Sequence, residues 1–178
     1  MPHAPLVTLR ARTAADVDAL YRLTADLETW EERTPSRPSP LTRSAFEKRL
    51  TDTASGPGTR SIEFVIDVDG AAVGSVSLFG FDDLARHAEI GIAVLAEHRG
   101  RGIGSAALVK MVTFAFVRCN LRRVHLQAIS SNVGAIRVYE KAGFEVEGRL
   151  REHAWVRGAY EDMVVLGLLR TDWERTDR

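Results

Sequence analysis

Six consecutive residues, Arg99, Gly100, Arg101, Gly102, Ile103 and Gly104, combine three glycines at alternate positions with two guanidinium groups, and Ser105 follows them. Glycines let a backbone pass close to a ligand and turn its amides toward it, and a helix starting behind them favours negative charge. That arrangement suits a pyrophosphate. A nucleoside-triphosphate loop requires a Lys-Ser or Lys-Thr pair after its last glycine, where Ser105 and Ala106 stand here. A dinucleotide fingerprint requires a third glycine three residues after the second, but that position counted from Gly102 is Ser105, and no acidic ribose ligand stands about 20 residues further on. Neither of those motifs fits.

A second stretch, residues 131–144, reads Ser-Asn-Val-Gly-Ala-Ile-Arg-Val-Tyr-Glu-Lys-Ala-Gly-Phe. Seven residues, about two helical turns, separate Asn132 from Tyr139, so the two can share one helix face with Ala135 between them.

The elements that must hold these stretches can be read around them. Residues 6–11 alternate as a first strand, and Thr13 caps a helix over 14–27 carrying Val17, Leu20, Leu23 and Leu27 at helical spacing. An acidic connection follows, with Asp26, Glu28, Glu31, Glu32 and Trp30; residues 35–40 are a Pro-rich loop. Thr42 or Ser44 opens a helix carrying Phe46 and Leu50, and 55–59 is a loose Gly-Pro-Gly segment. Asp69-Gly70 between apolar runs 62–68 and 71–79 predicts an antiparallel hairpin. A strand over 89–95 enters the glycine loop, and a helix over 103–118 leaves it and stops at Asn120. A strand over 123–129, a helix opened by Ser131 and Asn132 and closed by Gly143, and two strands around an Arg157-Gly158 turn complete the order. The class is α+β, a mixed and mostly antiparallel sheet flanked by helices.

At 178 residues and 45% hydrophobic content, the chain suits one domain over residues 1–178. A formal charge of zero without a long basic run gives no reason to expect nucleic acid or an anionic membrane as partner. Cys119 is a single cysteine, so no internal disulfide is expected, and no metal is called for. No apolar run approaches the ~18 residues of a membrane span and no basic leader precedes an apolar core, so a cytoplasmic location is expected.

The run 99–104 resembles the acyl-coenzyme A loop of the GNAT superfamily of N-acetyltransferases, Arg/Gln-x-x-Gly-x-Gly/Ala. Residues 131–144 are similar to that superfamily's Asn-x-x-Ala-x-x-x-Tyr-x-x-x-Gly-Phe segment. Glu-Gly-Arg-Leu at 147–150 followed by Gly-Ala-Tyr-Glu-Asp at 158–162 resembles the branch holding ribosomal-protein N-terminal and spermidine acetyltransferases. The order of elements also matches the GNAT fold.

The resemblance implies attack of a primary amine on the thioester of acetyl coenzyme A, the expected cosubstrate. It places the cofactor against Ile92, Ala93 and Val94 of a splayed strand, against Arg99 to Ser105, and along Asn132, Ala135 and Tyr139. A backbone amide of 91–94 is the expected donor to the carbonyl oxygen. Tyr139 is the expected acid for the leaving thiolate, since a phenol of pKa near 10 can give a proton and regain it from water. An amine of pKa near 10.4 is only about 0.04% neutral at pH 7, so a base is wanted. Glu89 is placed for that role on the entering strand, its rival being a surface ion pair with Arg86. Glu31, Glu32, His87 and His153 are alternatives, and His98 borders the phosphate loop. Asn132 also suits a helix cap, and Phe144 the core.

Residues 27–35 resemble the Trp-x-Glu-Glu-Pro stretch of spermidine acetyltransferases, apart from a displaced proline. This implies Glu28, Trp30, Glu31 and Glu32 as acceptor ligands, where carboxylates would attract a polycation or a basic peptide. A polyamine, a protein N-terminus or a small-molecule amine all remain open as acceptor. A homodimer, a larger donor such as succinyl coenzyme A, and a non-catalytic acyl-coenzyme A sensor stay open beside them.

Overall fold

Seven strands make one sheet in the order β1-β2-β3-β4-β5-β7-β6. The computed structural model describes residues 6–33, 41–51 and 60–176, so the expected loops at 35–40 and 55–59 lie outside the described residues. β1 (Val7–Arg10), β2 (Ile62–Val68), β3 (Ala71–Asp82) and β4 (His87–Val94) pair antiparallel in sequence. Between β2 and β3, Asp69 and Gly70 both take positive φ, 53° and 84°, the geometry in which a two-residue turn follows the twist of its strands. β5 (Arg123–Ile129) lies parallel to β4, and β7 (Ala159–Leu169) and β6 (Glu145–Val156) close the far edge antiparallel.

Strand alternation gives β4 two faces. Ala88, Ile90 and Ile92 join the main core beneath α4 (Ile103–Thr113), whereas Ala93 joins a second core with Leu20, Leu23 and Phe46. The second core is where α1 (Val17–Ala25) and α3 (Arg43–Thr51) cover the opposite face. Glu89 and Gly91 share that face with Ala93.

The most consequential feature of the sheet is its one parallel contact. β4 and β5 pair only at His87 with Arg123, Ala88 with Val124 and Glu89 with His125, and then part. β5 stays paired to β7 from Arg123 to Ile129, and β4 stays paired to β3 as far as Val94. Facing backbone edges are thereby opened beyond Glu89.

The structure corrects the helices in three places. The helix expected over 14–27 is a 3₁₀ turn, Ala14–Asp16, and then α1, which ends at Ala25. Asp26 is extended, and its carboxylate accepts from the Thr29 N–H at 2.8 Å and from the Thr29 hydroxyl. It therefore starts α2 (Leu27–Arg33) where an acidic connection was expected. Such a cap is worth about 1 kcal/mol. The helix expected over 103–118 is α-helical only to Thr113; Phe114–Arg118 form a π turn in which the Cys119 N–H reaches the Phe114 carbonyl at 3.1 Å. Buried Phe116 lies in that turn, and its ring meets Trp173 of α6 (Arg170–Thr176) at 5.4 Å. That last helix was not expected. It is too short and polar for a periodic signal.

Asn120 ends the π turn with φ 53°, and α5 (Val133–Lys141) closes at Gly143 with φ 92°, both as expected. No helix among the described residues is long and apolar enough to cross a membrane.

Candidate active site

A cavity of about 680 Å³ fills the space where β4 and β5 part, bounded by the glycine loop, the start of α4 and one face of α5. Gly100 and Gly102 take φ of 72° and 77°, and a Cβ at either position would meet nothing within 4 Å. Backbone angle, rather than space, calls for glycine there. Gly104 differs: it lies inside α4, where a Cβ would touch Val94 Cγ2 at an ordinary 3.7 Å. The Ala106 N–H is held by the Gly102 carbonyl at 3.0 Å. The amides of Ile103, Gly104 and Ser105 precede it and have no partner within the helix, and all three residues line the cavity. This end of the cavity is a set of donors suited to an anion.

The two arginines of the loop do not sit as expected. Arg99 donates from Nε to the Val94 carbonyl at 3.0 Å and from Nη2 to the Thr29 hydroxyl at 2.9 Å. It lines the cavity, yet it ties the loop to the end of β4 and to α2. Arg101 is exposed and is not among the lining residues. In this structure the loop presents amides to the cavity, while Arg99 is engaged by Val94 and Thr29 and Arg101 is exposed.

Ile92, Ala93 and Val94 line the cavity along β4, as expected. Asn132, Ala135 and Tyr139 line it from α5. Asn132 Oδ1 accepts from the Ala135 N–H at 3.1 Å, so the residue is the helix cap as well as a wall. Tyr139 is only 9% exposed, with its ring centroid 6.4 Å from that of Phe144, which is core.

Glu89 stands on the β4 wall and is the one carboxylate among the described lining residues. Burial pushes its carboxyl above the ordinary range. Arg86, the expected ion-pair partner, instead donates to the carbonyl and Oδ1 of Asn120. The nearest opposite group is His125 of β5, with Nε2 at 3.8 Å from Glu89 Oε2.

The expected acceptor ligands are not brought to the cavity. Glu28 is exposed on α2, and Glu31 faces Arg157 of the β6–β7 turn at 3.6 Å; neither lines the wall. The side chains of Trp30 and Glu32 lie outside what the structure describes. His153 is exposed on β6, while His98 does line the cavity, with Nδ1 buried and unpartnered. Among the lining residues that escaped the sequence reading are Thr29, Ser77, Phe79 and Gln127. Ser77 and Phe79 pair with Gly91 and Glu89 across β3 and β4, so alternation from Glu89 would have found them. A Cβ at 91 would crowd the Phe79 ring at 3.0 Å. Among the described residues, no group of three or more His, Cys, Asp or Glu could hold a metal ion.

A sheet opened between two parallel strands, with helix-start amides at one end of the gap, is an architecture suited to a ligand that carries an anionic group. A family model described as an acetyltransferase (GNAT) domain matches residues 7–145, and the chain belongs to that family of acetyl-coenzyme A-dependent N-acetyltransferases. Over 113 residues the chain is 38% identical to the putative ribosomal N-acetyltransferase YdaF of Bacillus subtilis (strain 168), a stretch covering 64% of this chain and 62% of that protein. Against the spermidine N(1)-acetyltransferase of Escherichia coli (strain K12) it is 27% identical over 167 residues, 92% of this chain and 86% of that one. The fold superposes on the crystal structure of spermidine N-acetyltransferase from Vibrio cholerae in complex with CoA and spermine. The TM-score is 0.85, over 94% of this chain and 98% of that one, at 23% identity.

Proposed function

We propose that this chain, acting as one domain over residues 1–178 in the cytoplasm, transfers acetyl from acetyl coenzyme A to a primary amine in a single direct attack. Glu89 takes the amine proton and Tyr139 returns one to the leaving sulfur. Supporting this is one juxtaposition: Glu89 on β4 and Tyr139 on α5 wall the same cavity, with the free amides of α4 at its end. Acetyl coenzyme A supplies the thioester; the α4 amides and Gly102 suit its pyrophosphate. A β4 amide beyond Glu89, lacking a strand partner on the β5 side, suits the carbonyl oxygen. Glu89 faces an acceptor that is about 0.04% neutral at pH 7, and its raised pKa brings it closer to neutrality, where a general base works best.

Spermidine-class polyamines head the list of acceptors, because relatives matched over 92% and 94% of this chain carry that activity in their name. A protein N-terminus comes second, from the Bacillus relative. Thiol release from acetyl coenzyme A should be followed with spermidine, an N-terminal peptide, an amino acid and an aminoglycoside. Saturable, amine-dependent release with spermidine is expected. Cofactor binding without amine-dependent release on any class would favour a sensor and overturn the transferase reading.

A further inference from the structure

Glu89 is not the last titratable group on its face of the sheet. His125 lies directly opposite it in the β4–β5 register, with Nε2 3.8 Å from Glu89 Oε2. His87, two residues before Glu89 and on the same face, stacks edge-on against His125 with ring centroids 5.3 Å apart. Beyond it, His87 Nε2 stands 4.0 Å from Asp82 Oδ2 at the end of β3. Side-chain exposure runs 25% for Glu89, 19% for His125, 33% for His87 and 47% for Asp82. The row thus starts on the cavity wall, passes through its most buried member and ends in solvent. The Nδ1 atoms of both imidazoles are buried with no hydrogen-bond partner. Neither step along the row is a hydrogen bond as the rings stand, so each hand-off requires a small side-chain movement.

We infer that His125 and His87 form a proton exit behind Glu89, carrying to the surface the proton that the acceptor amine must lose. This rests on the transferase reading above. The step balances simply. The ammonium of the acceptor gives a proton to the Glu89 carboxylate, and the resulting carboxyl passes it to neutral His125 at Nε2. The imidazolium then releases a proton to His87, and His87 releases it beside Asp82. Glu89 and both imidazoles return to their starting charge. His125 touches no reacting atom; it acts through Glu89.

Two further features fit this role. Burial raises the Glu89 carboxyl, while burial, then Arg123 and His87, lower the His125 imidazole, so donor and acceptor are brought toward equal proton affinity. Besides Glu89 at 3.8 Å, the charged groups around His125 are Arg123 on its own strand, His87 from β4 and Glu147 from β6; β7 presents only Gly167 opposite it. Arg123 and Glu147 are joined to each other by a two-pronged ion pair that lies across Gly167, where a Cβ would overlap both groups. That pair holds Glu147 below the ordinary carboxylate range, keeping it charged and opposite Arg123 instead of competing for the proton.

The test compares wild type, His125→Gln and His87→Gln, using whichever amine of the screen above has the highest kcat/KM. Near pH 7, His125→Gln is expected to lower kcat/KM for the amine about tenfold, and His87→Gln less. The deficit should shrink as pH approaches the amine pKa near 10.4, where the acceptor sheds its own proton. Added imidazole should restore turnover to His125→Ala at pH 7. A deficit independent of pH, or one that imidazole does not relieve, would overturn the exit and leave a structural pair. Should the His125 variants fold poorly, partly exposed His87 still decides: an unchanged kcat/KM in His87→Gln at pH 7 overturns the row as drawn. A readout free of turnover is the imidazole titration of His125 by NMR. Glu89→Gln removes a neighbouring negative charge, and is expected to lower that pKa further; no movement would show the two groups uncoupled. Absence of amine-dependent thiol release by the wild type would overturn the transferase reading, and the exit with it.

Discussion

The two flanks of the cavity are built from different material. On the flank formed by residues 99–105 and the start of α4, the working groups are amides, held by left-handed angles at Gly100 and Gly102 and by the clamp of Arg99 onto Val94 and Thr29. On the flank formed by β4 and β5, they are side chains: Glu89, His125 and His87, brought together by register. A backbone site recognises what every acyl-coenzyme A shares, and its geometry is set by a few conformational requirements. A side-chain site can be retuned one residue at a time. On the reading proposed above, cofactor binding belongs to the first flank and proton chemistry to the second.

The contrast breaks most visibly at Gly102. Gly102→Asp strains the loop at φ 77° by about 1–3 kcal/mol and sets a carboxylate against the pyrophosphate beside the amides, and acetyl coenzyme A affinity is expected to fall about 10²-fold. Gly104→Ala, with ordinary room for its methyl, should keep affinity within about threefold, because helix interiors tolerate alanine better than glycine. Equal losses in a calorimetric titration would mean that space, not angle, governs the loop.

Tyr139→Phe probes the bridge between the flanks. The turnover number should drop about 10²-fold with the KM for acetyl coenzyme A little changed. Wild-type turnover in steady-state assays would remove the phenol as proton donor.

Glu89→Gln comes next, with kcat/KM for the amine reduced roughly 10- to 100-fold near neutral pH. Its sign with pH follows from the raised carboxyl: wild-type activity should fall as pH drops through a value above the ordinary 4.5, and the variant should lose that limb. A pH-rate profile with the limb intact would move the base elsewhere.

The smallest effect on activity is expected far from both flanks. Asp16 accepts from two nitrogens of Arg10 and from the N–H and hydroxyl of Thr13. The Arg10 guanidinium holds its carboxyl well below the ordinary 3.8. A depressed carboxylate contributes stability above the unfolded value, and that contribution is lost as pH falls toward the folded one. Asp16→Asn should therefore cost about 2 kcal/mol at pH 7 in urea unfolding, and less at pH 3, with turnover unchanged.

Much of the backbone flank was legible because its requirements are local. Three alternate glycines, Asn132 at a cap, Asn120 and Gly143 as stops and Asp69-Gly70 as a turn each act within a few residues. The α2 cap was equally local, yet Asp26 sits inside a helical apolar rhythm that runs on to Leu27, and that rhythm masked the break. The side-chain flank was legible at Glu89 and, as an alternative base, at His87, but not at His125. Pairing of His125 with Glu89 requires the parallel register of two strands whose partners lie 36 residues apart in the chain, counting from Glu89 to His125, and no local pattern encodes it. The contacts of Arg99 were hidden for a related reason: Thr29, which accepts from it, arrives from a distant helix.

The division of labour is tested most directly by titrating acetyl coenzyme A calorimetrically into Gly102→Asp and Glu89→Gln side by side with wild type. Binding lost in the first and kept at wild-type strength in the second is the predicted result. Normal binding by Gly102→Asp, or loss of binding in Glu89→Gln, would contradict the assignment of cofactor to the backbone flank and proton chemistry to the side-chain flank.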